Sequence, residues 1–288
     1  MRKVHYIYIF FTIFIFGFIS TVYSQKADTN GKTYRIELKD GTTLLGEIIL
    51  EDKNTIYFKT LSNIEVSISK DQIRKKEIIS GKMVEGKFLR QDPNNTRLFF
   101  APTGRGLKAG QAYFSVYEIF FPTVAVGIAD FFALAGGITL VPGVSEQLLY
   151  IAPKITPVQT NTFDLSAGVL IIKIPDEEET AGIAYGVSTY GTQKAALTLG
   201  LGFAFAGGDF ADKPVFAVGG EIRASNSVKL ISENWFIPDS EVQIVSGGIR
   251  FFGENLAADF ALIYPAGSDI EGWPFLPWIG FAYNFGRR

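Results

Sequence analysis

The chain has 288 residues, 47% hydrophobic and 14% aromatic, with only 19% charged. That charged share is below the roughly 25% usual for soluble domains, so part of the surface is expected not to face water. A formal net charge of −2 makes no case for a nucleic-acid partner, and the lack of cysteine excludes disulfide frameworks and thiolate metal sites. The first segment, MRKVHYIYIFFTIFIFGFISTVYSQ, opens on Arg2 and Lys3, runs apolar from Tyr6 to Ile19, and sets Val22 and Ser24 just before Gln25. This is the layout of a secretory signal over residues 1–24, cleaved before Gln25. An uncleaved anchor would need ~20 apolar residues to cross a bilayer, and this run holds about 14. With no cysteine after the cleavage point, a bacterial lipoprotein is excluded too. The only histidine, His5, goes with the signal.

Residues 26–32 are polar. From Thr33 to Ile79 a compact β pattern follows, with turn formers at Asp40-Gly41, at Glu51 to Asn54 and at Ser62-Asn63. Five short strands with tight turns predict a small open barrel over residues 33–79. The piece LKDGTTLLGEI, with its Asp-Gly turn and with Gly46 bending the second strand, resembles the SH3-like and Sm-like barrel families over about 45 residues. Sm-like proteins bind RNA, which a secreted chain would not meet, so the resemblance implies a structural or protein-contact module. Residues 80–95 read as a basic linker carrying Lys82, Lys87 and Arg90. The linker is either a solvated edge or a collar for anionic lipid head groups.

Beyond it, over residues 96–288, segment after segment alternates large apolar with small residues. KAALTLGLGFAFAGGD sets Leu197, Leu199, Leu201, Phe203 and Phe205 against Thr198, Gly200, Gly202, Ala204 and Ala206. NLAADFALIYP opposes Leu256, Phe260, Leu262 and Tyr264 to Ala257, Asp259 and Ala261. AGIAYGVSTYG sets Ile183, Tyr185 and Val187 against Gly182, Ala184, Gly186 and Ser188, and PVFAVGGEIRAS separates Phe216, Val218 and Ile222 from Gly219, Glu221 and Arg223. A period of two over segments of about ten residues marks a transmembrane β-strand. The bulky face is expected to meet lipid and the small face to enclose a lumen. Glu221, Arg223 and Asp259 are then candidate luminal charges, with Glu221 and Arg223 close enough in sequence to pair. The count is 10–12 antiparallel strands between Gln111 and Phe285. A helical reading of residues 119–145 is opposed by Pro122, four glycines and the alternation around Phe132 and Leu134. Two strands meeting near Asp130 fit better. Trp235, Trp273 and Trp278, with Tyr150, Tyr190, Tyr264 and Tyr283, are candidates for interfacial girdles.

The last strand, PWIGFAYNFGRR, carries Gly280, Tyr283 and Phe285 at a spacing that resembles the C-terminal assembly signal of Gram-negative outer-membrane β-barrel proteins. Here Gly286, Arg287 and Arg288 follow the terminal aromatic that commonly ends such chains. The resemblance covers the architecture of residues 96–288. It implies recognition by the barrel-assembly machinery, pairing of this strand with the first, residence in outer-membrane lipid, and an N-terminal module on the periplasmic side.

Without His or Cys in the mature chain, histidine-based hydrolysis and His- or Cys-built metal sites are closed. Asp164 with Glu118 or Asp259 are the carboxylates left for a hydrolase, and the acidic run Asp176 to Glu179 is a calcium candidate that fits a solvated loop better. No phosphate loop or dinucleotide fingerprint is found, and no cofactor is expected. The expectation is a non-enzymatic barrel acting as a narrow pore, small-ligand carrier or envelope scaffold, with a protein-contact module at 33–79. The alternative is a secreted soluble β-protein of binding or adhesive type.

Overall fold

A computed structural model describes residues 33–79, 81–84, 87–144, 146–173, 179–267 and 273–286. The expected signal and residues 176–178 of the acidic run lie outside the described residues. The chain divides into two compact units, the first ending at Ile78 and the second beginning at Ile79.

The first unit is one antiparallel sheet. Its strands are β1 (Thr33–Leu38), β2 (Thr43–Glu51), β3 (Thr55–Thr60), β4 (Glu65–Ser69) and β5 (Ile73–Ile78), in the order β4-β3-β2-β1-β5. Each strand follows from its turn. At the first, Gly41 takes a φ of 89° and the Asp40 carboxylate accepts the Thr42 N–H at 2.8 Å. Ile36, Ile56, Phe58 and Ile68 form the core. Gly46 lies so close to the Lys59 backbone that a Cβ there would collide with it.

The second unit begins with a hairpin, β6 (Gly81–Val84) and β7 (Lys87–Arg90). Twelve long strands then close into an antiparallel barrel. They are β8 (Gln111–Tyr117), β9 (Phe121–Ala129), β10 (Phe132–Ile138), β11 (Leu149–Gln159), β12 (Phe163–Lys173), β13 (Thr180–Gly191) and β14 (Ala195–Ala206). After a two-residue extension, β15 (Asp209–Phe210), come β16 (Val215–Ser225), β17 (Val228–Phe236), β18 (Gln243–Phe252), β19 (Leu256–Ala266) and β20 (Leu276–Gly286). Each pairs with its sequence neighbour, and β20 closes the ring on β8 with Tyr283 opposite Phe114 and Phe285 opposite Ala112. Closure removes every sheet edge. The turns at residues 130–131, 160–162, 192–194, 226–227 and 253–255 share one end with the start of β8 and the end of β20. Most of the connections at the opposite end are longer, the pattern of outer-membrane barrels, where turns are periplasmic and loops extracellular.

The outer face carries the bulky set. Leu197, Leu199, Leu201, Phe216, Ile222, Phe260 and Leu262 are all exposed, and Phe251, Phe260 and Phe281 run edge-to-face across three neighbouring strands. In water so wide an apolar surface would drive aggregation; lipid is the solvent it suits. On β13 the expectation is reversed. Val187 and Thr189 are buried inside, so Ile183, Tyr185 and Val187 line the lumen while Gly182, Ala184, Gly186 and Ser188 face out. The two faces of that strand differ in size in the sense opposite to β14, because the lumen beside β13 has space to fill. Trp235, Trp278 and Tyr150 also turn inward and supply no girdle, whereas Trp273, Tyr190 and Tyr283 are exposed.

Candidate functional site

Residues 80–95, read from sequence as a linker ending at the barrel boundary, are followed by no simple entry into β8. The chain from Arg90 to Ala109 instead dips into the lumen from the short-turn end and returns. Its two legs meet in a bridge between Arg97 and Pro102, with Leu98 N–H to Ala101 O at 2.8 Å and Thr103 N–H to Thr96 O at 2.9 Å. Phe99 and Phe100 form the tip. Asp92, Asn94, Arg97, Leu98 and Thr103 are buried because the barrel surrounds them.

The feet of this luminal hairpin are tied to the short turns. Arg90 N–H donates to Asn226 Oδ1 at 2.7 Å, and its guanidinium reaches Glu254 and Ser227, each at 2.8 Å. Ala109 N–H donates to Asp130 Oδ1 at 3.0 Å. Inside, the descending leg meets a wall of charge on β16 to β19. Arg250, fully buried, donates to Asp259 at 2.6 Å, to Asp92 at 3.2 Å and to the carbonyls of Asn94, Arg97 and Leu98. Lys229 bridges Asp92 and Glu221 at 3.1 Å each, and Arg97 pairs with Asp259 at 2.6 Å. Taking so many charges out of water is costly unless each finds a counter-charge, and each of these does, although Arg97 keeps Nε and Nη2 without a hydrogen-bond partner. The tip is held by Glu233, whose Oε2 accepts the consecutive N–H groups of Phe99, Phe100 and Ala101 at 2.8–3.0 Å while Oε1 accepts the Trp235 indole N–H at 2.8 Å. Three successive backbone donors around one carboxylate make an anion-binding nest.

The returning leg meets hydroxyls. Gly104 N–H donates to Thr189 Oγ1, the Ser166 hydroxyl donates to Gly104 O, and Lys154 Nζ donates to the carbonyls of Thr103 and Arg105. A Cβ at Gly104 would strike the backbone of Asp164, and one at Gly219 would strike Leu98, so the hairpin lies flush against both sides of the wall.

Of the three candidate luminal charges, Glu221 and Asp259 are buried in this network. Arg223 does not pair with Glu221; it sits at the short-turn end, donating to the carbonyls of Gln193 and Arg90 at 3.0 and 2.9 Å and lying over the Phe252 ring. Glu221 is taken by Lys229 and by Arg105, the latter at 2.6 Å. In the last strand Gly280 is buried, facing the lumen beside Asp259 and Trp278, while Tyr283 and Phe285 face outward on the closing seam. The three carboxylates open to a hydrolase are dispersed: Asp259 is tied to Arg250 and Arg97, Asp164 lies 3.9 Å from Arg105, and Glu118 accepts the Ile279 N–H. Among the described residues no group of three or more acidic side chains is placed to hold a metal.

Sequence reasoning passed over Asp92, Arg97, Arg105, Lys154, Lys229, Glu233 and Arg250. A signal existed for some of them. Lys229 and Glu233 share the inward parity of β17 with Ile231, and charges on a barrel strand at that parity must face the lumen. In NNTRLFFAPTGRG, two aromatics flanked by arginines are poor linker material.

Beside the hairpin a cavity of about 300 Å3 remains. The strands β8 to β14 give it Tyr113, Tyr117, Tyr150, Leu170, Ile172, Ile183 and Tyr185, the hairpin gives it Arg97 and Phe100, and Trp235 closes one side. It runs beside the returning leg from Leu107 and Tyr113, past the tip, to Phe121 and Leu148 at the end with the longer loops.

No family model matches the sequence, and no curated protein matches it. Solved structures similar to this chain include the KdgM porin in complex with disordered oligogalacturonate, at TM-score 0.47 and 9% identity over 61% of this chain and 98% of that one. The NanC porin aligns at TM-score 0.41 and 7% identity over 61% and 98%, and Omp33, an outer membrane protein of Acinetobacter baumannii, at 0.37 and 9% over 64% and 100%. Likeness at this level is one of barrel architecture alone.

Proposed function

We propose that this protein is a non-enzymatic outer-membrane β-barrel whose lumen is closed by its own hairpin, and that it works as a small-ligand carrier rather than as an open pore. The supporting observation is the buried network around Arg250, Asp259, Asp92, Lys229 and Glu221, which fixes the hairpin across the lumen. A pore needs a continuous water path, and on this reading the hairpin backbone blocks it. A scaffold would have no use for an apolar cavity of about 300 Å3. That volume is at the lower end of small-molecule sites.

On this reading the short-turn end, where Arg90 enters the barrel, faces the periplasm. The protein-contact role of the SH3-like module at 33–79 belongs to the same proposal. So does recognition of β20 by the barrel-assembly machinery through Gly280, Tyr283 and Phe285, since the outward aromatics sit on the seam that must form last.

Conductance in planar bilayers tests the central claim. The intact protein is expected to insert with little or no steady current, and deletion of residues 92–105 to open large, stable steps. The chain has no cysteine, so the pair Gly106→Cys with Thr156→Cys reports the hairpin directly, because the nearest atoms to a Cβ at Gly106 belong to the Thr156 side chain that the pair replaces. It should cross-link on oxidation and leave the barrel silent. Large steady currents from the intact, cross-linked protein would refute the closed barrel.

A further inference from the structure

We infer that the cavity takes an uncharged ligand, a hydrocarbon body of about one ring and a short chain whose single hydroxyl or carbonyl meets Tyr185; this rests on the carrier reading above. The charged side chains of the lining are turned away or spent. Arg97 gives Nη1 to the Leu98 and Phe99 carbonyls and to Asp259, and its Nε and Nη2 are buried from the cavity. Lys154 is turned to the hairpin, donating to the carbonyls of Thr103 and Arg105, both at 2.7 Å. Glu233 accepts the three N–H groups of the hairpin tip and the Trp235 indole N–H. A charged ligand would leave water here and meet no free counter-charge, and a sugar would lose the water partners of most of its hydroxyls.

The neutral polar groups are mostly engaged as well. The Tyr150 hydroxyl is bonded to Thr123 and to the Pro122 carbonyl, Thr139 to Gln147, and Thr198 to Thr189. The Tyr113 hydroxyl is shared with Thr96 and Tyr117. Tyr185 differs. Its hydroxyl lines the cavity, has no hydrogen-bond partner among the described residues, and stays reachable where the free donors of Arg97 do not. It lies over Gly168 of β12, where a Cβ would stand only 2.5 Å from its oxygen. A phenol both donates and accepts, so it can serve a hydroxyl or a carbonyl. Around it Leu170, Ile172 and Ile183 offer carbon, and β14 and β16 present Gly200, Gly202 and Ala217, which leave the space open. Apolar cavities of about 150 Å3 stay dry and take up benzene. The cavity here, at about 300 Å3, holds a ring with a short chain.

The test titrates 4-phenylbutanol, 4-phenylbutyrate, 4-phenylbutylamine and propylbenzene calorimetrically into the full-length barrel in detergent, against empty micelles. The alcohol is expected to bind saturably, at least tenfold tighter than either the acid or the amine. Tyr185→Phe should weaken the alcohol about fivefold, the worth of one neutral hydrogen bond, and leave propylbenzene unchanged. Gly200→Leu should abolish saturable binding of every probe: a Cβ there meets nothing closer than Ala217 Cβ at 3.4 Å, and the rest of the side chain fills the cavity. Acid or amine binding as tight as the alcohol would overturn the uncharged class and leave the carrier reading standing. An equal effect of Tyr185→Phe on alcohol and propylbenzene would overturn the role of its hydroxyl, and binding that persists in Gly200→Leu would place the site elsewhere and overturn the assignment. Failure of all four probes to bind, in a barrel that stays silent in bilayers, would overturn the carrier reading as well.

Discussion

The two halves of the lumen wall are built on opposite principles. The strands β16 to β19 present Glu221, Lys229, Glu233, Arg250 and Asp259 to the interior, each buried and each engaged with the hairpin or with another charge. The strands β8 to β14 hold the returning leg through Lys154, Ser166 and Thr189, and toward the end with the longer loops present tyrosines, alanines and aliphatic side chains and leave space. On the carrier reading, the charged wall holds a piece of the chain in place and the apolar wall is free to receive a ligand. Buried ions are a poor source of net stability but a demanding source of geometry, since any misplacement strands a charge. That is the property a fixed plug needs, and an apolar cavity, tolerant of shape, is what a carrier needs.

The contrast predicts unequal responses to substitution. Arg250→Met should have the largest effect. It removes the cation that Asp92 and Asp259 share, leaving them Lys229 and Arg97 respectively, and breaking a buried pair costs about 3–5 kcal/mol. A lower urea midpoint and faster amide exchange at Leu98 would register it. Glu233→Gln comes next. Three backbone donors and an indole lose a charged acceptor, and hydrogen bonds to charged groups are worth about 1.5–3 kcal/mol; faster amide exchange at Phe99, Phe100 and Ala101 should accompany the change. On the other wall Leu170→Ala should cost only about 1 kcal/mol, because that side chain is only partly buried and borders empty space. A large loss there would mean that the cavity wall, too, is structural.

The smallest effect is expected from the exposed ion pairs of the N-terminal unit. Lys70 and Lys76, each hydrogen-bonded to Glu51, hold its carboxyl below the usual carboxylate range. A carboxyl lowered in the folded state adds stability at neutral pH, present above its unfolded value and lost as pH falls through and below that range. Glu51→Gln should flatten this slope slightly, seen as amide exchange in β2 and β4 against pH. Water screens the group, so the change should be small beside that of Arg250→Met.

How much could be read without coordinates depended on whether a residue's neighbours are close in sequence. The turn at Asp40-Gly41, the start of β8 at Gln111 and the closing strand through Tyr283 are local facts of pattern and turn chemistry. So is the outward set of β14 and β19, where a period of two sorts large from small. The sense of β13 was not legible, because its pattern fixes two faces but not which one is inside. Only the presence of Tyr150, Leu170 and a vacant lumen beside Tyr185 decides that. The pairing of Glu221 was misjudged for a related reason. Its neighbour on the same strand, Arg223, was near in sequence, but its partners Lys229 and Arg105 come from the next strand and from the hairpin.

By itself, then, the sequence determined an all-β chain in two units, the lengths and turns of the strands, and a bulky coat over most of the second unit. These follow from alternation and turn residues, which act within a few positions. Tertiary structure alone decided that residues 91–109 fill the barrel instead of leading to it, and that the charges of β16 to β19 have them to bind. Arg97 and Asp259 stand 162 positions apart and bond at 2.6 Å. No periodicity carries information over that distance; only closure of the ring around the hairpin brings the two together.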